Sequence, residues 1–315
     1  MRTVSGLAEF PPDLESPILA LGTFDGVHLG HQQVIRQAVA RARAVGGHAV
    51  VVTFEPHPLE VLHPSVEPVL LTTLDERLIL FDGIGVDVVL VLPFDLAFSR
   101  VPARAWLDDV LIGRLRAREI CAGTSYTFGH GREGTASRLV EWGRERGVPV
   151  HLVEPVLVSG EPVSSGRIRI AVREGLVDDA ARLLGRWYSV RGRVVRGSGR
   201  GRTLGFPTAN LQVDPRKVLP GRGVYAAVVD VRGRRYGGAT NIGYRPTFGG
   251  GALAVETHLL EFSGDLAGDD VTLAFVRRIR DERVFAGPEA LVRQIRDDVA
   301  QVRELLGAAG PGIIR

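Results

Sequence analysis

Between Ile18 and Leu157 five short apolar runs alternate with segments of helical character, and this alternation limits the fold more than any other feature of the chain. The runs are Ile18 to Gly22, His48 to Phe54, Asp87 to Leu92, Arg118 to Ala122 and Pro149 to Leu157, each rich in Val, Ile or Leu. His31 to Val45 places Val34, Ile35, Ala38, Val39 and Ala42 on one helical face, and Thr135 to Arg146 is a second helical candidate. Strand and helix in strict turn imply a parallel sheet with crossover helices. Ligands of such sheets bind beyond the carboxyl ends of the strands, where chain turns into helix. The stretch GTFDGVHLGH, Gly22 to His31, occupies that position after the first run. Two further helices are expected at Ser164 to Gly175 and Val177 to Leu184.

From Tyr188 onward the texture changes. Runs at Ser189 to Val195, Val224 to Val231, Leu253 to Phe262 and Val271 to Ile279 are separated by glycine-rich turns, the pattern of a small antiparallel barrel or sandwich. A final segment, Pro288 to Leu306, places Leu291, Ile295, Val299, Val302 and Leu306 at helical spacing behind a proline suited to the first turn. It is expected to pack on the barrel. The fold class is therefore α/β followed by mainly β, with domains at 1–186 and 187–315, a division that 315 residues accommodate.

Composition narrows the function classes. The 45% hydrophobic and 24% charged residues are those of a soluble globular chain, and no apolar run is long enough to span a bilayer. Glu9, Asp13 and Glu15 fall early and no charged-then-apolar leader is present, so no signal peptide is expected. One cysteine, Cys121, excludes an internal disulfide and fits a reducing cytoplasm; a small buried residue ending a strand is its simplest role. The net charge of +3 is spread along the chain without a basic block or interleaved aromatics, which argues against nucleic acid as a partner. Lys217 is the only lysine, so a lysine-based phosphate loop is improbable. Bound phosphates would need arginine, backbone N–H groups, helix ends or a metal.

His28 and His31 then need an explanation. Zinc requires a third and usually a fourth ligand, and no nearby cluster offers them. Phosphate fits better: Gly22, Gly26 and Gly30 let backbone approach a ligand, and the helix starting near His31 points N–H groups and partial positive charge at the same place. A loop histidine and a helix-capping histidine without chemistry is the plain alternative.

Reading outward from that stretch, HxGH after a first strand resembles the signature of the nucleotidyltransferase superfamily. The run GTFDGVHLGHQQVI resembles the first motif of the bacterial bifunctional riboflavin kinase and FAD synthetase family. TFEPHP (Thr53 to Pro58), GTSYTFGHGREG (Gly123 to Gly134), VSSGRIR (Val163 to Arg169), GRGRTLGFPTANL (Gly199 to Leu211), GVYA (Gly223 to Ala226), NIGYRPTFGG (Asn241 to Gly250) and VETHLLEF (Val255 to Phe262) continue the resemblance in order. It implies that the first half adenylylates FMN to FAD and the second phosphorylates riboflavin to FMN, with ATP as co-substrate and Mg²⁺ in both. By the same resemblance His28 and His31 bind the ATP phosphates and the transition state, with Gly22, Phe24, Asp25 and Gly30 shaping the loop. Ser164, Ser165 and Arg169 match a second phosphate-binding motif, where Arg169 or Arg167 can make a bidentate contact, and Phe54, His57, Ser125 and Phe128 fall on the flavin or adenine side. In the second half Thr208 and Asn210 would hold Mg²⁺, Gly197, Gly199 and Arg202 would cover the phosphates, and Glu256 would be the general base. Without the resemblance both phenylalanines read as core and Glu256 as an exposed strand carboxylate.

Three positions depart from the family pattern: Ser125 stands for an Asp or Asn, Gly166 for a threonine and Ala267 for an aromatic residue. The first two touch adenylylation, so a kinase with a weakened first half is the alternative. A non-catalytic flavin-binding or regulatory protein is a further one. The retention of both phosphate sites and the base together argues against that third reading.

Overall fold

The computed structural model describes residues 1–65, 70–197, 199, 201, 204–244 and 253–308. The chain forms two compact units, Met1–Ser165 and Gly166–Arg315.

The first unit is built on strands β1 (Arg2–Ser5), β2 (Pro17–Leu21), β3 (His48–Glu55), β4 (Val88–Pro93), β5 (Glu119–Gly123) and β8 (Val150–Val153). They form one parallel six-stranded sheet in the order β1-β4-β3-β2-β5-β8. Helices α1 (Leu29–Val45), α2 (Pro58–Leu62), α3 (Leu74–Ile84), α4 (Ala103–Ala105, continuing as a π-helix over Trp106–Arg114) and α5 (Ala136–Glu145) connect them. Two short hairpins complete the unit, β6 (Thr127–Phe128) with β7 (Gly134–Thr135) and β9 (Leu157–Val158) with β10 (Glu161–Pro162).

The apolar runs lack polar alternation because both faces of this sheet are covered. On β2, Ile18 and Ala20 pack with Ile35, Ala38 and Ala42 of α1, while Leu19 and Leu21 pack with Trp106, Leu107 and Leu111 on the other face. From β2 the order grows one way through β3 and β4 and the other way through β5 and β8, so the switch point lies between β2 and β5. In open sheets of this type the ligand crevice opens there, at the carboxyl ends.

The second unit contains α6 (Ser165–Arg173, whose first residue ends the first unit), α7 (Val177–Leu184) and strands β11 (Tyr188–Val195), β12 (Ala209–Val213), β13 (Gly223–Val231), β14 (Arg234–Tyr244), β15 (Leu253–Leu259) and β16 (Asp270–Arg280). The strands close into a barrel in the order β11-β12-β15-β14-β13-β16, which removes every sheet edge. The C-terminal helix, Pro288–Ala308, lays Val299, Val302 and Leu306 on Ala226, Val228 and Leu260, as its periodicity predicts.

By packing, α6 and α7 belong with the barrel, whereas the sequence-based division at 186/187 groups them with the parallel sheet. The reason is local: Gly221 donates its N–H to Val172 O, Asp178 of α7 pairs with Arg277 of β16, and the Tyr225 hydroxyl crowds Gly175 between the two helices. Several elements escape the sequence patterns, among them α2, α4 with its π-helical continuation, β12, β1, α3 and β14. β1 buries one of its four residues, α3 is apolar on most sides, and β14 carries Gly237, Gly238 and Gly243, which read as a turn. Gly238 is required by contact: a Cβ there would lie 2.5 Å from Val229 Cγ2.

A polar triad ties α1 to the sheet. Glu119, 4% exposed at the start of β5, accepts two hydrogen bonds from Arg41 (2.7 and 2.8 Å) and lies 2.7 Å from His151 Nε2. The Arg41 hydrogen bonds, with those of His151, outweigh burial and hold the Glu119 carboxyl at about 2, below its ordinary 4.5. Cys121, two residues on, is buried and its thiol is pushed up to about 12 by desolvation. A carboxyl depressed in the folded state stabilises above its unfolded value and loses that contribution as pH falls through its folded one. Glu119→Gln is therefore expected to cost about 2 kcal/mol at neutral pH, read as a urea midpoint by tryptophan fluorescence. The deficit should shrink as pH falls from about 4.5 toward about 2; a wild-type midpoint at neutral pH would show that the triad contributes nothing.

Candidate active sites

In the first unit the chain leaves β2 at Leu21 and enters α1 at Leu29, and the seven residues between them make the loop at the switch point. Its backbone is unusual: Phe24, Gly26 and Val27 have φ of 52°, 82° and 38°. Gly22 is needed where it stands, because a Cβ would come within 2.9 Å of the Phe24 ring. That ring is buried and meets His31 edge-on at 5.3 Å. His28 is the N-cap of α1, its Nδ1 accepting the N–H of His31 at 3.2 Å, so the capping alternative is correct as far as it goes. The cap also has chemical value: a His28 Nδ1 that accepts carries its ring proton on Nε2. The two imidazoles stack at 3.5 Å, and a Cβ on Gly30 would sit 3.3 Å from His28. Rings, helix N-terminus and loop thus converge at one place, suited to an anion.

Asp25 is fully buried. Its carboxylate accepts the N–H groups of Leu71 (2.9 and 3.1 Å) and Thr72 (2.9 Å) and the Thr72 hydroxyl (3.2 Å). Ser165, the last residue of the first unit, donates its hydroxyl to Asp25 O at 2.9 Å, which places that serine against the histidine loop. Ser164 is exposed beside it, while Arg167 and Arg169 lie half-buried on α6 in the second unit.

The residues expected on the flavin or adenine side occupy two surroundings. Phe54, next to last in β3, lies in an aromatic cluster with Phe94, Phe98 and Trp106, at 5.6 to 6.2 Å between ring centres. Phe128 stacks on Tyr126 at 5.4 Å and meets Trp142 edge-on. Both phenylalanines are core residues by burial, with Phe94, Phe98 and Tyr126 only partly covered beside them. His57 caps α2, accepting the Leu59 N–H while Glu60 accepts the His57 N–H. Ser125 lies in the turn after β5, on the other side of the switch point from the histidine loop.

Two polar residues that the sequence reading passes over support this loop. Arg77, 1% exposed on α3, donates to Thr23 O (3.0 Å), Thr53 Oγ1 (3.0 Å), Phe54 O (3.2 and 3.3 Å) and Glu55 Oε2 (2.6 Å). Burial lowers its guanidinium from the usual value, and Glu55 opposes that effect. Thr72 receives the Gly26 N–H at 2.8 Å. The signal available was the capping box of Thr73 and Glu76, which marks the start of α3.

In the second unit the register aligns the expected residues. Asn210 of β12 is the direct partner of Glu256 on β15, and Glu256 is in turn the partner of Asn241 on β14. Direct partners share a face, so amide, carboxylate and amide form a row across three strands, with Thr208 two residues before Asn210. Beneath them Thr240 and Thr257 are hydrogen-bonded at 2.9 Å inside the barrel. The glycine loop lies against Thr208 and Asn210, the expected ligand pair: a Cβ on Gly197 would fall 2.2 Å from Asn210 Nδ2, and one on Gly201 would fall 3.2 Å from Thr208 Oγ1. Gly199 adopts φ 73°. Arg202, and Arg245 to Gly250 of the NIGYRPTFGG stretch, lie outside the described residues. Thr208 and Asn210 are neutral oxygen donors, which suits a Mg²⁺ ion that takes its remaining ligands from phosphates and water. The Gly197 contact shows backbone close enough to wall such a site.

A parallel α/β unit with a histidine loop at its switch point, followed by a closed barrel carrying a Thr/Asn pair beside a carboxylate, defines a two-part nucleotide-dependent transferase. Residues 11–167 match the FAD synthetase family and residues 184–306 the riboflavin kinase family. The bifunctional riboflavin kinase/FMN adenylyltransferase of Pseudomonas fluorescens is 38% identical over 97% of this chain and 98% of its own. That of Escherichia coli K12 is 36% identical over 99% of both. A crystal structure of a Streptococcus pneumoniae protein described as a macrolide-efflux protein superposes with a TM-score of 0.87 at 33% identity, over 96% of this chain and 99% of its own. Among the described residues no helix is long and apolar enough to cross a membrane. The chain belongs to the bifunctional riboflavin kinase/FMN adenylyltransferase family.

Gly197→Ala is expected to displace the Asn210 carboxamide and to lower ATP-dependent turnover of riboflavin at least about tenfold, measured by chromatography of the flavins. A rate within about twofold of wild type would mean that the loop yields without moving Asn210.

Proposed function

We propose that this chain catalyses two successive ATP-dependent steps, phosphorylation of riboflavin to FMN on the barrel and adenylylation of FMN to FAD at the histidine loop, with functional domains at 1–186 and 187–315. The observation that carries the reading is the row Asn210–Glu256–Asn241, which sets a carboxylate beside an amide suited to the metal.

In the first step the riboflavin 5′-oxygen bonds to the γ-phosphorus of ATP, the bond to the bridging oxygen breaks and ADP departs. Glu256 takes the hydroxyl proton. Thr208 and Asn210 would hold Mg²⁺, which supplies neutralisation of phosphate charge when bound, and the loop of Gly197, Gly199 and Arg202 would cover the phosphates.

In the second step a phosphate oxygen of FMN bonds to the α-phosphorus of a second ATP and pyrophosphate leaves. Such in-line transfer needs positioning and charge stabilisation more than a protein nucleophile. His28 Nε2, His31 and the α1 N-terminus supply donors where negative charge accumulates. Ser164, Ser165, Arg167 and Arg169 provide the second set of phosphate contacts, and Phe54, His57, Ser125 and Phe128 border the ring systems. Every substrate is a soluble metabolite and the reactions consume ATP, which fits a cytoplasmic location.

The test is incubation with Mg-ATP and either riboflavin or FMN, followed by chromatography. Glu256→Ala is expected to abolish FMN formation and spare FAD formation from supplied FMN, and His31→Ala to do the opposite. Loss of both activities in either variant would overturn the assignment of sites to halves. FMN without FAD in the wild type would select the kinase with a weakened first half.

A further inference from the structure

The turn Phe24–Val27 is held in a conformation it would not choose. Phe24 at φ 52° and the β-branched Val27 at φ 38° lie in the left-handed region, which side chains of this kind rarely adopt. Such a turn persists only where its surroundings over-determine it. Here the surroundings are Leu71–Arg77, a segment that contributes no group to either proposed reaction.

It grips the loop at two points. At one, the Thr72 hydroxyl accepts the Gly26 N–H (2.8 Å) and donates to Asp25 (3.2 Å), while the N–H groups of Leu71 and Thr72 complete the Asp25 carboxylate. At the other, Arg77 holds Thr23 O (3.0 Å) together with Phe54 O and the Glu55 carboxylate at the end of the neighbouring strand. Thr23 and Gly26 bracket Phe24, and Val27 follows directly, so both strained residues are pinned between or beside the grips. Stability alone accounts poorly for Arg77, because a buried ion pair commonly contributes no more than apolar side chains of the same volume. What the guanidinium does that an apolar group cannot is fix a loop carbonyl, Thr23 O, against a strand carbonyl, Phe54 O, at once.

We propose that Leu71–Arg77 is a positioning bracket for adenylyl transfer, with Thr72 and Arg77 as positioning residues. It holds the strained turn so that the α1 N-terminus, His28 and His31 meet the ATP phosphates in reactive geometry. The inference rests on the reading that the histidine loop carries FAD formation.

The experiment compares full-length Thr72→Val, Thr72→Ser and Arg77→Lys with wild type, each assayed for FAD formation from FMN and for FMN formation from riboflavin. Thr72→Val keeps shape but removes the hydroxyl, and its kcat for FAD formation is expected to fall at least about tenfold with the KM for ATP changed less than about threefold. Thr72→Ser should return kcat to within about threefold of wild type, and Arg77→Lys, which keeps charge but cannot bridge three segments, should fall between them. FMN formation by the same preparations, the gauge of an intact second unit, should stay within about twofold of wild type. The deficit should be equal at about 10 °C and about 37 °C, because misplacement, unlike partial unfolding, does not vanish on cooling. A wild-type kcat in Thr72→Val, or a deficit that disappears at the lower temperature, would overturn the proposal. Absence of FAD formation in the wild type would instead overturn the reading on which it rests.

Discussion

The Asp25 carboxylate has no access to water, and a buried charge of this kind is tolerated only when its oxygens are hydrogen-bonded. Its donors come from Leu71 and Thr72, 46 and 47 residues further along the chain. The loop between β2 and α1 can therefore reach its strained form only when the chain around the start of α3 is in place. His28 and His31, which look like a local motif, depend in this way on a non-local bond. The N-cap made by His28 Nδ1 then fixes the last turn before α1, and both imidazoles inherit their placement from it.

The barrel solves a related problem with glycine in place of a buried charge. Gly197, Gly238 and Gly243 stand where a Cβ would meet Asn210, Val229 or Glu282 within 2.5 Å. Each absent side chain lets another element approach. Closure adds a second benefit, because strands with no free edge hold a cross-strand row in constant register. The Asn210 amide and the Glu256 carboxylate, the proposed metal ligand and proposed base, are then set on adjacent strands by backbone hydrogen bonds instead of by flexible loops.

The sequence was most legible where periodicity and burial coincide. The first half reads as alternating strands and helices because its parallel sheet is covered on both faces, so Ile18 to Leu21 and Ala49 to Val52 have no polar interruption. The same logic fails for β14, whose glycines mimic a turn, and for β1, which is too short and exposed to show a pattern. Arg77 was illegible for a different reason: arginine in a helical stretch normally marks a solvated face, and nothing local indicates that three carbonyl and carboxylate groups await it. The cap formed by His57 was equally hidden, since histidine is not a usual capping residue.

By itself the sequence determined the strand–helix alternation of the first half, the β character of the second, the histidine loop at a strand end and the family. These depend on patterns within about twenty residues or on short motifs, which a linear chain displays directly. Tertiary structure decided which residues work together: Asn210 with Glu256 and Asn241 through barrel register, Asp25 with Thr72 through the arrival of α3, and α6 and α7 with the barrel through Val172, Gly175 and Asp178. The reason is that hydrogen-bond complementarity and close approach are properties of pairs distant in the chain, and no single segment carries both halves of the pair.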